Sequence, residues 1–172
     1  MSESLDSPTV PAIPEATDRD LFITRAFDAP REVVWRFFTE ARLLAGWFGP
    51  AGIHADPASA VVELRPGGRW DLDMIDPAND RRFPVRGRLT AVQPPEYLEA
   101  VIAGKADGPG PRNDLIMRLW LHDHGSKTRL TLHQGPFAQE FRELSARGWA
   151  GSLKKLDRIL DHIAPESEGP AR

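Results

Sequence analysis

Cysteine is absent from the 172 residues, which removes disulfides, a thiol nucleophile and cysteine-bound metal, and leaves no sign of an oxidising compartment. Positive charge is not in excess either. The formal net charge is −3, so nothing draws the chain generally to nucleic-acid phosphates or acidic membrane surfaces. No apolar run approaches the roughly 20 residues that a bilayer-spanning helix needs, and no segment joins a basic start to an apolar core as a signal peptide does. The motifs of common chemistries are missing too: there is no Gly-x-Ser-x-Gly elbow, no phosphate-cradling loop and no dinucleotide fingerprint, since Gly67-Gly68 lies in a hairpin rather than ahead of a helix. His54, His122, His124, His133 and His162 show no metal-binding spacing. The expectation is a cytoplasmic protein with no cofactor, metal or catalytic residue, no nucleic-acid partner and no membrane insertion.

What is present reads as one domain over residues 18–164, between polar tails at 1–17 and 165–172 that are expected to be disordered. The chain is organised around residues 135–163. Phe141, Leu144, Trp149, Leu153, Leu156, Leu160 and Ile163 recur three to five residues apart, with Glu140, Glu143, Arg147, Lys154, Asp157 and Asp161 on the other side. That period predicts one long amphipathic helix. Gly135 suits its N-cap, Pro136 its first position and Pro165 its stop. Gly148, Gly151 and Ser152 crowd the middle of the stripe, although each glycine costs a helix about 1 kcal/mol relative to alanine. Something there needs room, either the sheet backbone or a ligand.

Ahead of this helix the period changes. Leu21, Ile23 and Phe27 make a strand on whose apolar side Arg25 intrudes, and a buried cation needs a partner. Asp28-Ala29-Pro30 opens a helix facing the core with Val33, Val34, Phe37 and Phe38, and a second short helix over 41–48 carries Leu43, Leu44, Trp47 and Phe48. Between residues 52 and 133 short strands alternate with turn signals, the pattern of an antiparallel sheet. Ala60, Val62 and Leu64 lead to Arg65-Pro66-Gly67-Gly68, which suits a type II turn. Trp70, Leu72 and Met74 then face inward and Arg69, Asp71 and Asp73 outward; Phe83, Val85, Gly87, Leu89 and Ala91 repeat the inner face, with Arg82, Arg86 and Arg88 outside. Asp71, Asp73, Arg86 and Arg88 are expected to form exposed cross-strand ion pairs rather than an acid–base site. Residues 103–112, rich in Gly and Pro, form a loop read as flexible, with a lid as the alternative. Leu115, Met117, Leu119 and Leu121, a tight turn at His124-Gly125-Ser126, then Thr128, Leu130 and Leu132 complete the sheet.

This order predicts an α+β fold in which a curved antiparallel sheet of about six to seven strands grips the long C-terminal helix, with two short helices after the first strand. The local motifs are Phe27-Asp28-Ala29-Pro30, Gly46-Trp47-Phe48-Gly49-Pro50, Leu64-Arg65-Pro66-Gly67-Gly68-Arg69-Trp70, Val92-Gln93-Pro94-Pro95-Glu96, and Gly148-Trp149 followed by Leu153 and Leu156. In these the chain resembles the START-like, helix-grip (SRPBCC) superfamily, and within it the branch similar to the activator of the heat-shock chaperone ATPase. The resemblance implies an apolar cavity between sheet and long helix for a lipid, sterol, polyketide-like or other hydrophobic ligand, and no common catalytic residue. Similar proteins often place Glu before the Val-x-Pro-Pro turn; here that position is Ala91, so no acid role falls to it. The family name invites a chaperone partner, but the additional N-terminal domain of a eukaryotic co-chaperone is lacking, and that partner is not expected. A homodimer is compatible with the sequence.

The expected ligand-binding cavity is lined by Trp47, Phe48, Trp70, Leu72, Met74, Phe83, Gly87, Met117, Leu119, Gly148, Trp149 and Ser152, where small residues stand among aromatic ones on inner faces. Two other readings stay open. An enzyme of the cyclase or dehydratase kind would need a polar pair in the same cavity, for which Arg25, His54 or His133 with a carboxylate are the candidates. A protein-interaction module would use the outer surface. The face to which His133 points separates the first two.

Overall fold

The computed structural model describes residues 9–106 and 110–167, with side chains as far as Ile163. Strand β1 (Leu21–Phe27) leads to helices α1 (Arg31–Thr39) and α2 (Ala41–Ala45), the short strand β2 (His54–Ala55), a 3-10 turn at Pro57–Ser59 and the equally short β3 (Val61–Val62). The long strands follow as β4 (Arg69–Asp76), β5 (Arg81–Gln93), β6 (Tyr97–Ile102), β7 (Leu115–His124) and β8 (Lys127–Gly135), and helix α3 (Gln139–Ser167) comes last. They form one sheet in the order β1-β8-β7-β6-β5-β4-β2, with β3 also on β4, and every pairing is antiparallel. The curled inner face closes on α3. This is the helix-grip arrangement that the alternating strands and the helical stripe predict.

Period two along the strands places the core. Leu72, Leu89, Leu98, Leu119, Leu130 and Leu132 have no exposed surface and share one cluster with Leu153, Leu156 and Leu160 of α3. Arg25 finds the partner it needs, its Nη2 lying 3.0 Å from Asp157 Oδ2, which ties β1 to α3. Gly67 takes φ +85° where the type II turn requires it, and Gly68 N–H closes the turn on Arg65 O at 2.9 Å.

Tertiary contacts overrule several local expectations. Gly135 ends β8 opposite Ile116 instead of capping α3. A side chain there would meet Asp20 Oδ1 at 2.5 Å, and the buried Phe137 donates its N–H to Arg19 O at 2.7 Å, so the stretch before Gln139 is tied to the segment ahead of β1 and the helix starts later. At its far end α3 runs to Ser167, past Pro165; a missing proline N–H removes one bond from a last turn without ending it. α2 stops at Ala45 rather than 48, because Trp47 turns inward and donates its indole N–H to Phe37 O at 2.9 Å. β3 is confined to two residues, leaving Leu64 exposed. A bulge between Leu89 and Ala91 shifts the phase of β5, so Val92 rather than Ala91 packs on the core. Leu144, on the apolar stripe by spacing, is 50% exposed.

Asp71 departs most from expectation. It is only 6% exposed, and its carboxylate accepts from Gly87 N at 3.0 Å and from Arg69 Nε at 2.8 Å. It is a buried acid paired with Arg69 of its own strand, not an exposed acid paired across strands. Asp73 does pair with Arg82 and Arg86, at 3.1 and 2.8 Å.

Candidate ligand-binding cavity

The first half of α3 stands over a cavity of about 190 Å³. The strands contribute Trp70 and Met74 (β4), Val85 (β5), Ile102 (β6), Met117 (β7) and Gln134 (β8); α3 contributes Ser145, Gly148, Trp149 and Ser152. Phe48 and Pro50 come from the loop after α2, and Lys105 from the loop after β6.

Side-chain size explains the space. Ser145, Gly148 and Ser152 lie one turn apart along α3, so they share a face, and a Cβ built on Gly148 has no atom within 4 Å. Gly151 differs. A Cβ there would stand 2.9 Å from Ala51 N and 3.4 Å from Pro50 Cα, so this glycine admits the loop backbone against the helix. Room for backbone and room beneath the helix are therefore both realised, at neighbouring residues. Ser152 does two things, since its hydroxyl borders the cavity while donating to Gly148 O at 3.0 Å and accepting from Gly49 N at 3.1 Å. Lys155 fastens the same loop by donating to Pro50 O at 3.0 Å and Ile53 O at 2.5 Å, and burial pushes its pKa below the ordinary lysine range.

The aromatic wall is locked in place. Phe48 meets Trp70 and Trp149 edge to face, with centroids 5.6 Å from both and interplanar angles of 80° and 84°. Trp70 Nε1 donates to Phe38 O at 2.9 Å, and Trp149 Nε1 to Gln134 Oε1 at 2.9 Å. Neither ring can swing inward without orphaning a buried donor, which costs about 1–3 kcal/mol.

Of the expected lining residues, the structure brings Phe48, Trp70, Met74, Met117, Gly148, Trp149 and Ser152 together around the cavity. Trp47, Leu72 and Leu119 lie in the solid core. Phe83, half-buried, has the Arg81 guanidinium over its ring at 5.4 Å. Gly87 is demanded by its own sheet neighbours, because a Cβ would strike Trp70 O at 2.7 Å. Sequence reasoning missed Pro50, Val85, Ile102, Lys105, Gln134 and Ser145.

His133 points to the outer face. Its Nδ1 lies 3.3 Å from Arg118 Nη1 and its Nε2 3.5 Å from Asp20 Oδ2, with the Phe22 ring 4.7 Å away. Next in this row Arg118 reaches Glu99 at 3.3 Å, and Tyr97 donates to Glu99 at 2.5 Å. Burial works to raise the Glu99 pKa but is outweighed by hydrogen bonds from Tyr97 and Thr90 and by the Arg118 charge, which together hold it below the usual range. Arg25 is taken by Asp157 and His54 is exposed, so none of the three polar candidates lines the cavity. A larger groove of about 400 Å³ lies on the outer face, but charged groups such as Arg31, Glu96, Asp123 and Arg129 form its walls. Among the described residues no three His, Asp or Glu converge as a metal site, and no helix is long and apolar enough to cross a membrane.

A profile of the family described as Activator of Hsp90 ATPase homolog 1-like protein matches residues 28–161. No curated protein matches the chain in sequence. Among solved structures, a protein from Nitrosomonas europaea is 28% identical with TM-score 0.74, covering 88% of this chain and 99% of its own. One from Chromobacterium violaceum is 24% identical with TM-score 0.74, covering 84% and 98%. The AHSA1 protein from Silicibacter pomeroyi is 24% identical with TM-score 0.70, covering 84% and 99%. The last two likenesses show the fold alone.

Proposed function

The chain belongs to the Activator of Hsp90 ATPase homolog 1-like family, and on that premise we propose that it binds a small hydrophobic molecule in the cavity between the sheet and α3. The observation that carries this reading is the recess of about 190 Å³, walled by Phe48, Trp70, Met74, Met117 and Trp149, beside a core of fully buried leucines. Its volume narrows the ligand. An apolar cavity of about 150 Å³ accepts benzene, whereas pockets for drug-sized molecules begin near ~300 Å³. One aromatic ring or a short branched chain matches these walls, and a sterol or multi-ring polyketide exceeds them. A cyclase or dehydratase would draw on Arg25, His54 or His133, and these lie off the cavity, which favours binding over turnover through those groups.

The test is a thermal-shift and native mass-spectrometry series with toluene, indole, naphthalene and a sterol. Toluene and indole are expected to form one-to-one adducts and raise Tm as mass action requires, with the sterol inert. If neither toluene nor indole binds up to its solubility limit, the proposal is wrong.

A further inference from the structure

The polar groups on the cavity wall differ in what they have left to offer. Trp149 is a donor only, and its bond to Gln134 Oε1 at 2.9 Å fixes the Gln134 amide. The Gln134 NH₂ is therefore the end left to face a ligand. The one proton of the Ser152 hydroxyl is already spent on Gly148 O, and its oxygen accepts from Gly49 N. Lys105, half-buried at the cavity edge, donates to the carbonyl of Pro84. An ammonium has three donors, and no carboxylate pairs with it among the described residues. Asp73, the acid that acts on it, is already held by Arg82 at 3.1 Å and Arg86 at 2.8 Å. The lysine is also well placed, because its backbone N–H is bonded to Pro111 O at 2.7 Å and the preceding Gly104 N–H to Asp114 Oδ1 at 2.9 Å.

Resting on the ligand-binding reading above, we propose that the cavity selects a small anionic amphiphile, one apolar ring or short chain carrying a carboxylate, with Lys105 as the charge that recognises it and the Gln134 NH₂ as a second donor. The walls match both ends of such a molecule: a ring fits among Phe48, Trp70 and Trp149, while Lys105, the Gln134 NH₂ and the Ser145 hydroxyl are its polar groups, and among the described residues no carboxylate lines the cavity. Burial and the neighbouring Arg86 push the Lys105 pKa below the ordinary lysine range, with Asp73 acting the other way. A carboxylate beside the ammonium relieves that strain on the charged form.

The experiment compares phenylacetate, its neutral isostere phenylacetamide, and toluene, on the unmodified protein and on Lys105→Met and Lys105→Arg, by titration calorimetry and ligand-observed NMR. Phenylacetate is expected to bind the unmodified protein at least about tenfold more tightly than phenylacetamide, a preference lost in Lys105→Met and kept in Lys105→Arg, with the acid-to-amide ratio read within each protein and toluene reporting whether its cavity still takes an apolar ring. Equal affinity of acid and amide for the unmodified protein, or an acid preference that survives Lys105→Met, overturns the role of Lys105 while toluene binding leaves the hydrophobic cavity standing. Failure of all three probes overturns the cavity reading itself.

Discussion

The two halves of α3 meet the same sheet and treat it in opposite ways. Over residues 153–160 the inward positions are Leu153, Leu156 and Leu160, each with no exposed surface. Over residues 145–152 they are Ser145, Gly148 and Ser152 beside Trp149, and the cavity lies beneath them. A helix held at one packing distance from a sheet leaves space wherever a glycine or serine stands in for a leucine. The comparison teaches that a binding space can be written in side-chain volume, on top of a hydrophobic stripe that reads the same along its length. It also shows why the space persists: Ser152, Gly151 and Lys155 clamp the 49–53 loop to the helix, and indole hydrogen bonds fix Trp70 and Trp149.

The largest effect is expected in the solid half. Leu156→Ala should cost about 2–5 kcal/mol, the range for buried leucine truncations, and leave toluene binding by the folded protein unchanged. Denaturant unfolding together with binding measurements checks this. A loss below about 1 kcal/mol would mean the second half of the helix is as loosely packed as the first and would erase the contrast.

Next comes the clamp. Gly151→Ala should improve helix propensity by about 1 kcal/mol, yet its methyl meets loop backbone at 2.9 Å. Overpacking of about 1–3 kcal/mol then outweighs the gain. A net loss near 1 kcal/mol in chemical denaturation is the expected result, and a stabilised variant would show that the loop is free to move away.

The legibility of these features in the sequence follows from their range. The body of the helix, though not its two ends, the hairpins and the type II turn at Gly67 rest on local periods and on residues with special backbone freedom, and they read correctly. Gln134 could have been read, because it shares the parity of the buried Leu130 and Leu132 on β8, and a polar residue on an apolar parity is a signal. Val85 and Ile102 share the parity of Leu89 and Leu98 in the same way, Ile102 on β6 and Val85 on β5 ahead of its bulge. Lys105 had no such signal, since it lies in a loop without a period. Asp71 misled for the opposite reason: its parity is that of the wet face, but Arg69 and the Gly87 N–H enclose its carboxylate.

The smallest effect is the sharpest test, because it reverses sign within one turn of the helix. Ser152→Leu would mix two causes, filling the cavity while leaving the Gly49 N–H without its acceptor, a loss of about 1–3 kcal/mol by itself. Gly148 separates them. Nothing lies within 4 Å of a Cβ there, so Gly148→Ala should keep the propensity gain that Gly151→Ala forfeits, raising stability by up to about 1 kcal/mol. Gly148→Leu extends the same substitution into the hollow, where it should leave the fold standing and weaken toluene binding by about tenfold or more, equivalent to ~1.4 kcal/mol. Unfolding free energies and toluene titrations of the two variants decide the matter. If Gly148→Ala is destabilised like Gly151→Ala, the first half of α3 is packed against the sheet after all, and the contrast between the halves is lost.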